Sequence, residues 1–264
     1  MSLSSSNTSK TYPLLPKTDE KHIRLFIIRH GETSYNQQKI IQGHLNISLN
    51  EQGIAQSRQL NKFLLLKNGD DFLSKKNIEA IYSSDLNRCS ETSKYALEGT
   101  DRSNDIIFTD QLRERYMGEI QGLKRDAAVK KAISEGKKSI NDFGESVAHL
   151  QERLKKYLID TIIADNKDKK NLMIFSHGAA IRYLLLKLFD NDVDYLFSKL
   201  PEEQKKNVTS AYSTDSTVHF GNTCVNIVDF DKETGEFELK LLNGIYHITD
   251  NSIKLDETSN GTIV

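Results

Sequence analysis

Apolar residues along this chain fall into two alternating kinds of run. Short, nearly unbroken stretches at 23–28, 78–84, 106–108 and 171–176, rich in Ile, Leu and Phe, read as buried strands. Between them, apolar residues recur at helical spacing. After Asn50, the residues Ile54, Leu60, Phe63 and Leu64 predict a helix over 50–67, with Asn50 as N-cap, Glu51 in the first turn and Asn68-Gly69 beyond its end. Further helices are predicted over 86–97, 122–136, 145–164 and 178–189, and a short one near 192–199. The helix over 145–164 carries Val147, Leu150, Leu154, Leu158 and Ile162 along one side. Two last strands, 223–230 and 237–242, flank a turn at 231–235, whereas the rest of 190–220 has no clear pattern.

Strands alternating with helices predict an α/β fold, a three-layer α/β/α sandwich with a mainly parallel central sheet. The closing strand pair supplies an antiparallel edge. Residues 1–21, rich in Ser, Thr and Lys without periodicity, predict a disordered leader; 22–250 form one domain and 251–264 a tail.

Composition narrows the function by exclusion. A formal net charge of −1 offers no global attraction to nucleic acid or anionic membranes, so any anion recognition is local. No apolar run approaches the ~18 residues of a membrane span. The first residues lack the basic start and apolar middle of a secretory signal. The expected location is the cytoplasm, with the nucleus also open. Cys89 and Cys224 have neither metal-ligand nor disulfide spacing and read as small buried residues in a reducing compartment.

Chemistry concentrates where apolar runs end in polar groups without a packing purpose. The first strand runs into Arg29-His30-Gly31-Glu32-Thr33, and the strand over 171–176 runs into His177-Gly178 at a helix start. Arg88 falls in the first turn of a helix after the second strand, where its guanidinium joins the positive end of the helix dipole. The segment from Leu112 to Gly122 is a loop dense in charge. Two strand-end His-Gly pairs and two arginines make a pocket for a doubly charged oxyanion, since each guanidinium offers a planar fork matched to phosphate.

Arg29-His30-Gly31-Glu32-Thr33 with Asn36, Gln42-Gly43, Ser83 through Thr92, Leu112 through Gly118, and Ser176-His177-Gly178 resemble, in that order, the histidine phosphatase superfamily, phosphoglycerate-mutase-like branch. The resemblance covers the chain from Ile23 to about Ile248, and Arg113 to Gly118 with Ile40 to Gly43 is most similar to small phosphatases resembling fructose-2,6-bisphosphatase. It implies that His30 is the nucleophile, attacking phosphorus as a neutral imidazole to give a phosphohistidine. Arg29, Arg88, His177 and the Gly178 amide would stabilise the phosphoryl oxygens. Glu114 would protonate the leaving alkoxide and then deprotonate water. Arg113 and Arg115 flank it, but in an extended segment alternation turns both away. Asn36, Gln42 and Gly43 match positions lining the substrate; Arg115 and Tyr116 either touch substrate or anchor their loop.

Arg182 reads as a salt-bridge partner. His22, His44, His149, His219 and His247 read as structural or exposed. The lysines over 124–131 and at 137–138 read as a solvated helix face, with a second phosphate as the other possibility. The implied function is a metal-independent phosphomonoesterase acting on small phosphorylated metabolites, sugar phosphates or bisphosphates favoured. It needs no cofactor and engages neither nucleic acid nor membrane. A phosphoglycerate mutase using the same site and a non-catalytic phosphate-binding protein are the alternatives.

Overall fold

Strand β1 (His22–Arg29) shows why so apolar a run is needed. Its side chains alternate across the sheet, Ile23, Leu25 and Ile27 entering one core cluster and Phe26 and Ile28 another. Both faces are covered, as in a sheet clad by helices on each side. One charge is held within the run: Arg24 donates from Nε and Nη2 to the two Asp229 carboxylate oxygens, at 2.8 and 2.7 Å.

The structure is a computed structural model and describes residues 17–68, 71–202, 205, 220–245, 247 and 248. The expected tail over 251–264, and the expected leader apart from 17–21, lie outside the described residues. The remaining strands are β2 (Ala80–Ser84), β3 (Ile106–Thr109), β4 (Asn171–Ser176), β5 (Val225–Asp231) and β6 (Phe237–Gly244). They form one sheet in the order β3-β2-β4-β1-β5-β6. The first four in that order pair in parallel, while β5 runs antiparallel to β1 and β6 antiparallel to β5. The mainly parallel sheet with an antiparallel edge is therefore as expected.

The helices are α1 (Ser34–Gln37), α2 (Glu51–Asn68), α3 (Asn87–Ala96), α4 (Arg125–Ser134), α5 (Val147–Tyr157), α6 (Gly178–Leu188) and α7 (Val193–Ser198). Leu150 and Leu154 of α5 and Ile181 and Leu185 of α6 cover one face; Leu60 and Leu64 of α2 and Ala96 of α3 cover the other. Asn50 caps α2, accepting from Gly53 N–H at 2.8 Å, and its amide donates to Glu32 at 2.7 Å. The helix start lies tight against the loop after β1: a Cβ on Gly53 would stand 2.1 Å from the Glu32 carbonyl oxygen.

Two helices differ from expectation. The one predicted over 122–136 is shorter, because Gly122 and Gly136 hold left-handed backbone, φ +85° and +68°, and confine α4 between them. The one predicted over 145–164 is α-helical only to Tyr157, then widens into a π-helical turn over Leu158–Ile163. A stripe at strict four-residue spacing drifts around a 3.6-residue helix, and the wider turn brings Leu158 and Ile162 back to the core.

Candidate active site

Parallel pairing of β1 with β4 sets Arg29 opposite Ser176, so His30 and His177 leave the sheet side by side at its carboxyl edge. Their ring centroids are 5.3 Å apart. Ligands of open α/β sheets gather at this edge. Here it opens into a cavity of about 600 Å³, lined at one end by Arg29, His30, Arg88, Glu114 and Gly178.

The hydrogen bonds fix the state of both imidazoles. His30 Nδ1 is 2.7 Å from the Gly31 carbonyl, which can only accept, so Nδ1 carries the proton and Nε2 keeps its lone pair. Burial, then the Arg88 and Arg29 charges, hold the His30 pKa well below the ordinary histidine range. Arg88 Nε donates to His177 Nδ1 at 3.0 Å, so His177 Nε2 is the protonated nitrogen and donates to Ser84 Oγ at 2.8 Å. Burial first and Arg88 next keep His177 neutral as well. Both nitrogens of the fully buried His177 ring are thus bonded, and Nδ1 holds Arg88 where it lines the cavity.

Arg88 also donates to the carbonyls of Leu45 at 2.8 Å and Gly43 at 2.7 Å. A guanidinium has five N–H groups, so two remain for an anion. Arg29 Nη1 donates to the Phe220 carbonyl at 2.5 Å. A Cβ at Gly178 would lie 3.2 Å from Arg29 Nε, so glycine lets the guanidinium rest against the start of α6. That helix start is occupied by Glu114. Its Oε1 accepts from Ala180 N–H at 2.9 Å and from Arg115 N–H at 2.9 Å, and Oε2 accepts from Ala179 N–H at 3.1 Å. Oε1 thus has two backbone donors and Oε2 one.

A family model described as the histidine phosphatase superfamily (branch 1) matches residues 25–199. The chain belongs to the histidine phosphatase superfamily. By family it is a phosphatase enzyme with a phosphoglycerate-mutase-like fold. A broad-specificity phosphatase of Saccharomyces cerevisiae is 33% identical over 241 residues, covering 90% of this chain and 93% of its own. A phosphoglycerate mutase of Schizosaccharomyces pombe is 30% identical over 172 residues, 62% of this chain and 78% of its own. Among solved structures, a phosphoserine phosphatase of Entamoeba histolytica in complex with 3-phosphoglyceric acid aligns with a TM-score of 0.60 at 22% identity, covering 85% of this chain and 98% of that one.

The other expected site residues of this histidine phosphatase divide. Asn36, Gln42 and Gly43 line the cavity. Asn36 Oδ1 is taken by the α1 cap, accepting from Thr33 N–H at 3.1 Å and Oγ1 at 2.9 Å, which leaves its N–H groups for a ligand. Gly43 holds φ +51°, and a Cβ there would lie 2.2 Å from Gln121 Oε1. Arg113 and Arg115 do turn away from Glu114. Arg113 pairs with Asp85, and Arg115 donates to the carbonyls of Ile140, Asn141, Phe143 and Glu145. Arg115 borders the cavity, but its charged fork anchors the loop. Tyr116 is not among the cavity-lining residues; it is exposed and packs edge-on against His44 at 5.3 Å.

Several contributors escaped the sequence reading. His44 Nε2 donates to the Glu114 carbonyl at 2.8 Å, holding the segment that carries this carboxylate. Asn222 Nδ2 and Thr223 N–H donate to the His30 carbonyl at 3.0 and 3.2 Å. Thr223, at φ +56°, is held by buried His247, whose Nε2 donates to Thr223 Oγ1 at 2.7 Å. Arg182 lines the cavity together with Arg125, Lys137 and Lys138. Its place one turn into α6 was the available signal.

Proposed function

We propose that this histidine phosphatase is a metal-independent phosphomonoesterase that hydrolyses small phosphorylated metabolites through a phosphohistidine on His30. The observation that carries the reading is the neutral His30, its Nδ1 bonded to Gly31 and its Nε2 lone pair left for phosphorus, between two buried guanidinium groups. Nε2 forms the bond to phosphorus as the bond to the alcohol oxygen breaks. Glu114 gives its proton to the departing alkoxide. Water then attacks the phosphohistidine, Glu114 takes a proton from it, and inorganic phosphate leaves a neutral His30. Arg29 and Arg88 stabilise the equatorial oxygens throughout, supplying the positive charge that a metal provides elsewhere. His177 is a positioning residue in this scheme, aiming Arg88.

Hydrolysis is favoured over mutase transfer by the match to a broad-specificity phosphatase over 90% of the chain, against 62% for the mutase. Sugar bisphosphates are a second substrate reading, favoured by the cations Arg125, Lys137, Lys138 and Arg182 along the cavity. The same reading takes 22–250 as the working domain and the cytoplasm as its compartment. Among the described residues, no helix is long and apolar enough to cross a membrane.

Brief incubation with a ³²P-labelled phosphomonoester in EDTA, followed by denaturation, tests the proposal. The label is expected on His30, acid-labile and base-stable, and absent from His30→Ala. Label on Ser or Asp, or turnover that requires added Mg²⁺ or Zn²⁺, rejects it.

A further inference from the structure

Beyond the phosphate end, the cavity changes character. Ile40, Ile41, Met117, Val129, Ile133 and Ile140 converge on it. Helix α4 explains how. Ala128 and Ala132 are buried in a small cluster with Ile120 and Phe143, which fixes the helix against the loops. Val129 and Ile133, one position further round and i,i+4 to each other, are 41% and 71% exposed and face the cavity. Scattered exposed apolar residues need no explanation, but several sharing one concavity that continues into a reaction site mark a binding surface.

The wall is already built. The Ile40–Ile41 segment is tied to the start of α4 by backbone hydrogen bonds, Ile41 N–H to Leu123 O at 2.9 Å, Gly122 N–H to Ile41 O at 2.8 Å and Arg125 N–H to Lys39 O at 3.0 Å. Of the cations beside it, Lys137 is already matched: its ammonium lies 4.5 Å from the Phe143 ring centroid and 2.7 Å from Glu135 Oε2. Hydroxyls of a polyol set directly against Ile40, Ile41, Val129 and Ile133 would lose hydration without a partner in those side chains, an unfavourable exchange.

We propose that this chamber selects phosphomonoesters whose alcohol is an alkyl or aryl body, with Val129 and Ile133 as specificity-determining residues. The inference rests on the phosphomonoesterase reading of the adjoining site. It deepens that reading by naming the leaving alcohol as apolar rather than polyhydroxylated.

A series from ethyl to hexyl phosphate tests it, because the alkoxides are equally basic and only apolar length changes. kcat/KM is expected to rise by about two- to fourfold per methylene until the chamber fills. Hexyl phosphate is expected to exceed glucose 6-phosphate, a primary ester of equal carbon count, by ~10-fold or more. Ile133→Gln and Val129→Gln, at exposed positions and without added charge, should flatten the series while thermal melts stay unchanged. A flat or falling series, or a preference for glucose 6-phosphate, overturns the apolar chamber and leaves the phosphohistidine reading standing. A rising series that neither substitution flattens overturns the assignment to α4. Failure to turn over any ester, with no label on His30, instead overturns the phosphomonoesterase reading and this inference with it.

Discussion

The two ends of the cavity are built by opposite rules. At the phosphate end the side chains are tied to backbone, His30 to the carbonyl of its neighbour Gly31, and Arg88 and Glu114 to distant segments at Gly43 and Leu45 and at Ala179 and Ala180. At the far end, α4 adds to Arg125 the exposed side chains of Val129 and Ile133, which present only shape and apolar area. Phosphoryl transfer depends on positions held to a fraction of an ångström, so its groups are bonded from several sides. Recognition of a leaving alcohol grows with area buried and tolerates change. Substitutions should therefore act steeply at one end and gradually at the other.

Deleting the nucleophile is the harshest test of that contrast. His30→Ala should lose roughly 10⁵–10⁶-fold in kcat, the scale expected when a covalent nucleophile is removed. Residual turnover within about 100-fold of the parent would mean that another residue attacks phosphorus. Glu114→Gln should sharpen the contrast. Phosphorylation of His30 by an alkyl or sugar phosphate should slow by roughly 10²–10⁴-fold in single turnover. With p-nitrophenyl phosphate, whose leaving group has a pKa of about 7 and needs no proton, the loss should be much smaller. Equal losses would make Glu114 an organiser of the α6 start and not an acid.

The buried histidines behind the phosphate end predict acid sensitivity. His30, His177 and His247 are all held neutral by burial, His247 down to about 3. In the unfolded chain they titrate near ~6.5. Below that pH the unfolded chain binds protons that the folded one refuses, so stability is fully present above about 6.5 and is lost as pH falls. While all three stay neutral in the fold, the loss is about 4 kcal/mol per pH unit, roughly 1.4 for each group. Urea unfolding between pH 5 and 6 should approach that slope, made shallower by up to about 1.4 kcal/mol per unit in His247→Asn. An unchanged slope would mean His247 protonates in the native state. The smallest effect belongs to Tyr116, outside the cavity. Tyr116→Ala should change kcat/KM by no more than about twofold, as for exposed positions away from a site.

Local patterns in the sequence told most of the fold and the phosphate end, because both are local consequences of strands ending. Arg29-His30-Gly31 and His177-Gly178 stand next to the apolar runs that place them, and the strand over 171–176 has the observed bounds of β4. What remained hidden depends on partners far along the chain. Arg115 and Tyr116 are neighbours with equal claims, and only contacts 25 to 30 residues later show the Arg115 fork turned onto loop carbonyls. Ser84 is one serine of a pair until His177 arrives beside it. The apolar wall escaped because Val129 and Ile133 alternate with lysines and alanines, and α4 then looks like an ordinary solvated helix.

The antiparallel pair outside β1 sets a limit on shortening this protein. The family match ends at residue 199, yet β1 is an interior strand only because β5 pairs with it from His22 to Ile28. A chain cut after residue 200 would turn β1 into a bare edge, with a row of unpaired amides and carbonyls open to other copies. It would also lose the Asn222 and Thr223 bonds that fasten the His30 carbonyl. Such a fragment is expected to aggregate on expression, which would make β5, beyond the match, a guard of the β1 edge against self-association.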